Sequence, residues 1–187
     1  MPHFPAFLVL PLKKKSPKST SSPSSAAPSR PADRVLFICT GNYYRSRFAE
    51  ALFNHYVHAA GGTARAFSRG LMTHLVFDDI SSHTRHALLQ RGIPLTRTAP
   101  SPVSLTAADL DSATHIVALK ETEHRALIRA RFPAQESRVE YWHVHDLDAA
   151  TPEQTIAAIE TKVAQLAQRL LAPPKSPPRP KSRKKNA

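Results

Sequence analysis

The chain has 187 residues with 17 prolines, five glycines, a single cysteine and a formal net charge of +12. That length suits one domain with its own core, and a lone cysteine excludes an internal disulfide and a cysteine-built zinc site. The charge is confined to the ends. Residues 1–32 carry Lys13, Lys14, Lys15, Lys18 and Arg30, residues 173–187 carry Lys175, Arg179, Lys181, Arg183, Lys184 and Lys185, neither contains an acid, and +1 is left for 33–172. The interior therefore has no polyanion-binding signature, and nucleic acid is a candidate partner of the tails alone.

In chain order, the start MPHFPAFLVLPLKKK has a short apolar run, but its lysines follow that run where a secretory signal needs them in front. The Lys/Ser/Pro-rich stretch up to residue 32, and 173–187 at the other end, bury too little apolar area to offset ordering and are expected to be disordered. Arg34 to Cys39 is a nearly continuous apolar run, as in a strand covered on both faces. A helix follows with Phe48, Leu52, Tyr56 and Ala59 along one side and Gly61-Gly62 as its stop. Thr63 to Phe67 reads as a second strand. Ser81 or Ser82 caps a helix that runs to Gly92, with Pro94 beyond. Thr106 to Asp109 has the pattern of a capping box for a short helix. His115 to Leu119 is a third strand, followed by a helix to about Phe132, and Val139 to Val144 is the last strand. Thr151 with Gln154 caps a final helix whose Ile156, Ile159, Val163, Leu166 and Leu170 recur three and four apart.

Strands alternating with helices imply an α/β domain over 33–172: a three-layer arrangement with a parallel sheet and helices on both faces. Ligands of such sheets bind at the carboxyl ends of the strands, where Cys39 stands. No segment has the length and apolarity to span a membrane, and a reducing, cytoplasmic compartment is the expectation from the cysteine count.

The stretch from Cys39, CTGNYYRSR, carries the chemistry. A thiolate is the nucleophile, and a helix N-terminus beside a guanidinium favours that anion. The loop links a strand end to a helix start, so the amides of Thr40, Gly41, Asn42, Tyr43, Tyr44 and Arg45 can turn inward around an anion. Arg45 offers a planar fork for two phosphate oxygens. Ser46 is a hydrogen-bond donor to the sulfur. Gly41 permits a bend, and Asn42 tolerates a left-handed backbone while pinning the loop with its side chain.

The arrangement Cys-x5-Arg-Ser with Gly41-Asn42 inside it, ahead of Ala49-Glu50-Ala51, resembles the low-molecular-weight protein tyrosine phosphatases, which share a fold with one class of arsenate reductases. Ser68-Arg69-Gly70 is similar to that family's Ser-Ala-Gly, and the order of elements matches from about Arg34 to Leu171. The resemblance implies four parallel strands in the order 2-1-3-4. It implies phosphomonoester hydrolysis through a cysteinyl-phosphate, with Cys39 as nucleophile, Arg45 and the amides of 40–45 as cradle, and Asn42, Ser46 and Ser68 holding the loop. The family's general acid maps to Asp146, with Asp148 as the alternative because Leu147 stands in place of proline. No metal or cofactor is implied, and the expected substrate is a phosphorylated protein or small aryl phosphate.

The sequence also departs from the family. Tyr44 replaces a second cysteine, so the reversible disulfide is lost. Arg47 replaces a proline and is expected to add charge at the mouth. Leu147, Asp148 and Ala149 stand where aromatic residues shape the pocket, leaving Tyr43 and Tyr44 as candidate walls. Two other functions fit the sequence: an arsenate reductase drawing on an external thiol, and a phosphate-binding module whose acid loop no longer supports turnover. His143 and His145 form a close pair without further metal ligands, and His55/His58 and His83/His86 read as solvated helix faces.

Overall fold

A computed structural model describes residues 32–171; the expected disordered tails lie outside the described residues. Strands β1 (Arg34–Cys39), β2 (Arg65–Gly70), β3 (His115–Ala118) and β4 (Val139–Tyr141) form one sheet in the order β2-β1-β3-β4. All three pairings are parallel, with Val35 opposite Ala66 and His115, and Ile116 opposite Val139. The helices are α1 (Arg45–Ala59), α2 (Ser82–Gln90), α3 (Ala107–Ser112), α4 (Glu121–Arg131) and α5 (Pro152–Leu171).

The alternation of side chains along β1 divides the core into two layers. Val35 and Phe37 join Val117, Leu119 and Trp142 under α1 and α5, where Phe48, Leu52, Ile159 and Val163 complete one cluster. Leu36 and Ile38 join Ile116 and Ala118 on the other face, closed by Leu110 of α3 and Ile128 of α4. Every residue of β1 from Val35 to Cys39 is buried, as its continuous apolar run demands. Because β1 pairs with β2 on one side and β3 on the other, its carboxyl end is the switch point of the sheet, where a crevice opens.

The local signals act as read. Gly61, at φ +66, follows the end of α1. Ser81, not Ser82, caps α2 by accepting from the Thr84 amide at 3.0 Å. Thr106 and Asp109 close a full capping box, and so do Thr151 and Gln154. Three strands differ from expectation in their bounds, β3 by a single residue, since it stops at Ala118. β2 begins two residues later and runs on to Gly70, because Ser68, Arg69 and Gly70 stay in register with Phe37, Ile38 and Cys39 although the apolar pattern stops at Phe67. β4 stops at Tyr141. Trp142 and Val144 remain buried and their amides still bond to Ala118 and Leu119, but the segment bends and His143 and His145 face outward.

Candidate active site

The chain leaves β1 at Cys39 and enters α1 at Arg45 through a loop whose carbonyls are occupied from outside. The carbonyls of Cys39 and Thr40 accept from the amides of Leu71 and Met72 at 3.0 and 2.7 Å, and that of Tyr43 accepts from Ser81 at 3.0 Å. The Tyr44 carbonyl takes the Phe48 amide and the Thr84 hydroxyl. With the carbonyls turned out, the loop amides turn in, which is the geometry of an anion nest. Tyr44, the N-cap of α1, makes no side-chain capping bond, so the first-turn amides are left for an anion.

Sterics hold the loop tight. A Cβ on Gly41 would lie 2.8 Å from Val76 Cγ1, and one on Gly70 would lie 2.9 Å from the backbone of both Gly41 and Asn42. Gly70 is thus the floor against which the loop rests. Asn42 sits at φ +52, which asparagine tolerates best among side-chain-bearing residues. Its amide donates to Cys39 Sγ at 3.3 Å.

Beneath the loop runs a buried chain of hydrogen bonds with one consistent direction. Asn42 Oδ1 accepts from the Val103 amide at 2.8 Å, which fixes the side-chain amide. Its Nδ2 then donates to Ser46 Oγ at 3.1 Å and Ser68 Oγ at 2.7 Å. Ser46 Oγ lies 3.0 Å from Cys39 Sγ, where it can donate to a thiolate, and Ser68 donates to Glu50 at 2.7 Å. Glu50 also accepts from Thr98 at 2.6 Å, whose hydroxyl accepts from Arg47 Nε at 2.6 Å. Burial pushes the Glu50 carboxyl above its ordinary range, against the bonds from Thr98 and Ser68 and the Arg47 charge. Arg47 corrects a sequence expectation: it adds no charge at the mouth. It is 1% exposed and turned into the protein, bonded to Thr98 and to the carbonyls of Asp79 and Ala99. Its guanidinium is pulled below its ordinary range by burial.

Above the loop, Arg45 is 2% exposed. Nη1 donates to Glu123 Oε1 and the Val144 carbonyl, both at 3.2 Å, and Nη2 donates to Glu123 Oε2 at 2.7 Å. Asp146 Oδ2 lies 2.6 Å from the same Nη2, and Asp146 Oδ1 accepts the Leu147 amide at 2.9 Å. Burial works to raise the Glu123 carboxyl, but Arg45, His124 and Lys120 outweigh it and hold it below the usual range. His124, fully buried, accepts the Lys120 amide at Nδ1, so its proton sits on Nε2 facing Thr40 Oγ1 at 3.3 Å. Burial, then the Arg45 charge, depress it to about 4 despite Glu123.

Cys39, Thr40, Gly41, Tyr43, Tyr44, Arg45 and Asp146 line one cleft of about 380 Å³ whose outer walls are Leu75, Val76, His83 and Leu147. Asn42, Ser46 and Ser68 lie below it, fully buried. Asp148 is exposed and does not line the cleft. His83, expected on a solvated face, instead lines the wall with its ring 5.8 Å from that of Tyr44. Glu123, His124 and Thr98 were not legible as site residues. Acids in the first turn of a helix are ordinary partners of the helix dipole, so Glu123 carried no signal. Glu50 did carry one: it is an acid four residues after Ser46, on the same helical face, between two alanines.

The sequence matches the family described as low molecular weight phosphotyrosine protein phosphatase over residues 34–175. Comparison with curated proteins gave no match. Among solved structures, the low molecular weight protein tyrosine phosphatase of T. tengcongensis is 25% identical with a TM-score of 0.64, covering 74% of this chain and 99% of that one. The YwlE arginine phosphatase of Geobacillus stearothermophilus is 26% identical with a TM-score of 0.59, covering 74% and 92%. YfkJ of Bacillus subtilis is 24% identical with a TM-score of 0.67, covering 74% and 94%, and shares the fold.

Proposed function

The chain belongs to the low molecular weight phosphotyrosine protein phosphatase family, and on that premise we propose that it hydrolyses aryl phosphate monoesters, phosphotyrosine in proteins foremost, through a cysteinyl-phosphate. One observation carries this reading: the Cys39 thiol, the Arg45 guanidinium and the Asp146 carboxylate line a single cleft, with Asp146 2.6 Å from Arg45. Cys39 Sγ attacks phosphorus in line, forming the S–P bond as the ester P–O bond breaks. Arg45 and the loop amides hold the equatorial oxygens. Asp146 gives its proton to the departing oxygen, then takes one from the water that cleaves the S–P bond, and the thiolate returns. Ser46 stabilises that thiolate whenever it is released. Tyr43, Tyr44, Leu75, Val76, His83 and Leu147 offer flat and apolar walls for an aromatic leaving group. Asp146 in the cleft favours turnover over a binding module, and favours Asp146 over Asp148 as the acid.

The test is hydrolysis of p-nitrophenyl phosphate and a phosphotyrosine peptide from pH 5 to 8 by the full chain and by Cys39→Ser, Asp146→Ala and Asp148→Ala. Activity should vanish in Cys39→Ser, fall by roughly 10²–10⁴ in Asp146→Ala, and persist in Asp148→Ala. A phosphoarginine substrate run alongside reports on the chemistry named for the Geobacillus stearothermophilus relative; faster turnover of it would overturn the aryl assignment.

A further inference from the structure

A guanidinium has five N–H groups, and Arg45 spends three of its hydrogen bonds on fixed partners. Nη1 donates to Glu123 and the Val144 carbonyl and Nη2 donates to Glu123, while Asp146 is held at Nη2 as an ion pair, 2.6 Å away. Phosphate takes parallel N–H groups along one edge of the fork. The Nη1–Nη2 edge belongs to Glu123, bound through both of its oxygens. The Nε–Nη2 edge is the one left to a ligand, and among the described residues the carboxylate that reaches it is Asp146, at Nη2. The two carboxylates that share Arg45 are therefore not equivalent.

We infer that Glu123 is a positioning residue: by holding the Nη1–Nη2 edge of Arg45 it restricts Asp146 to a single contact on Nη2, which an incoming phosphate displaces, releasing Asp146 to act as acid. This rests on the phosphatase reading of the same cleft. In the resting enzyme Asp146 is held on Arg45, away from a departing oxygen. When phosphate takes Nη2, that single contact is lost and the carboxyl, whose side chain is 36% exposed, is free to turn to the leaving group. The charged and titratable groups facing Asp146 are Arg45 and Tyr44, with Cys39 and His83 in the same cleft; Glu123 shares Arg45 with it, His124 and Lys120 act on Glu123, and His145, next to Asp146 in the chain, contacts Lys120 Nζ through Nδ1. Glu123 is itself tethered, accepting from Thr40 Oγ1 at 3.4 Å. Without Glu123, Asp146 is free to close on both Nη atoms as a bidentate pair that phosphate displaces less readily.

The test exploits leaving groups. Departure of 2,4-dinitrophenolate needs no protonation, whereas departure of phenolate does. Glu123→Ala should lower kcat/KM, which reports the step before the shared cysteinyl-phosphate, by about tenfold or more for phenyl phosphate while changing that for 2,4-dinitrophenyl phosphate by less than about threefold, a fraction of the full acid contribution. In an Asp146→Ala background the same change should have almost no further effect on phenyl phosphate, since the two act through one step. Glu123→Gln, isosteric and able to accept one bond, should show the same selectivity at smaller size and serves if the alanine variant does not fold. Equal losses with both leaving groups, or losses that multiply with Asp146→Ala, overturn the inference and make Glu123 merely structural. Calorimetric titration of inorganic phosphate into Cys39→Ser separates the two levels. Absence of binding there means that the cradle reading fails, whereas binding with no leaving-group selectivity means that only the role of Glu123 fails.

Discussion

Replacing Asn42 by alanine tests the frame on which the loop depends. The side chain is fully buried and makes three hydrogen bonds, to Ser46 at 3.1 Å, to Ser68 at 2.7 Å and from Val103 at 2.8 Å. Ser46 and Ser68 each retain a second partner, so those two losses are ordinary net hydrogen bonds of about 1 kcal/mol each. Val103 is 36% exposed, so water can take over its amide and that loss too is about 1 kcal/mol. The backbone at φ +52 adds about 1 kcal/mol when the residue becomes alanine. The sum is about 4 kcal/mol, a large part of the roughly 5–15 kcal/mol that a domain of this kind holds. Urea denaturation with linear extrapolation gives the stability change, and p-nitrophenyl phosphate turnover gives its catalytic counterpart. Asn42→Gly loses the same bonds but not the backbone penalty, so it should be the more stable of the two by about 1 kcal/mol. A loss below about 1 kcal/mol for Asn42→Ala, with kcat unchanged, would show that the network beneath the loop is not what shapes it.

Four further outcomes are expected. His124 is depressed to about 4 in the folded protein, so between about 6.5 and 4 the unfolded chain binds its proton first and stability falls as pH falls; the full effect is about 3 kcal/mol, and His124→Gln should flatten the stability profile over that window. Glu123, held below its ordinary range by Arg45, weakens the fold in the same direction but only below its unfolded value near 4.5, which separates the two in a titration of melting midpoints. Gly41→Ala meets one methyl of Val76 at 2.8 Å, so Val76→Ala in the same chain should restore most of its lost kcat/KM. Gly70→Ala meets backbone at 2.9 Å, and trimming Thr73 should restore nothing; recovery there would refute the account of Gly70 as the floor of the loop.

By itself the sequence determined the order of elements, the caps at Thr106 and Thr151 and one at Ser81 or Ser82, the two-face burial of β1, and the cysteine-to-arginine loop at its carboxyl end. These are properties of near neighbours in the chain, where periodicity, capping chemistry and turn residues act over a few positions. The end of β2 escaped because its last three residues are polar or small and are kept in the sheet by pairing with β1, which no local pattern reports. Arg47 looked like a surface charge because its neighbours in sequence say nothing of Thr98, Asp79 and Ala99, which close around it from 32 to 52 residues away. Glu123 lay in an ordinary first helical turn, and only the pairing of β3 beside β1, from whose end α4 starts, brings its carboxylate to Arg45, 78 residues earlier. The tertiary structure alone decided which of two aspartates reaches the cleft and which carboxylate holds which edge of the arginine. A charge is paired through space, and the chain distance between partners carries no trace of it.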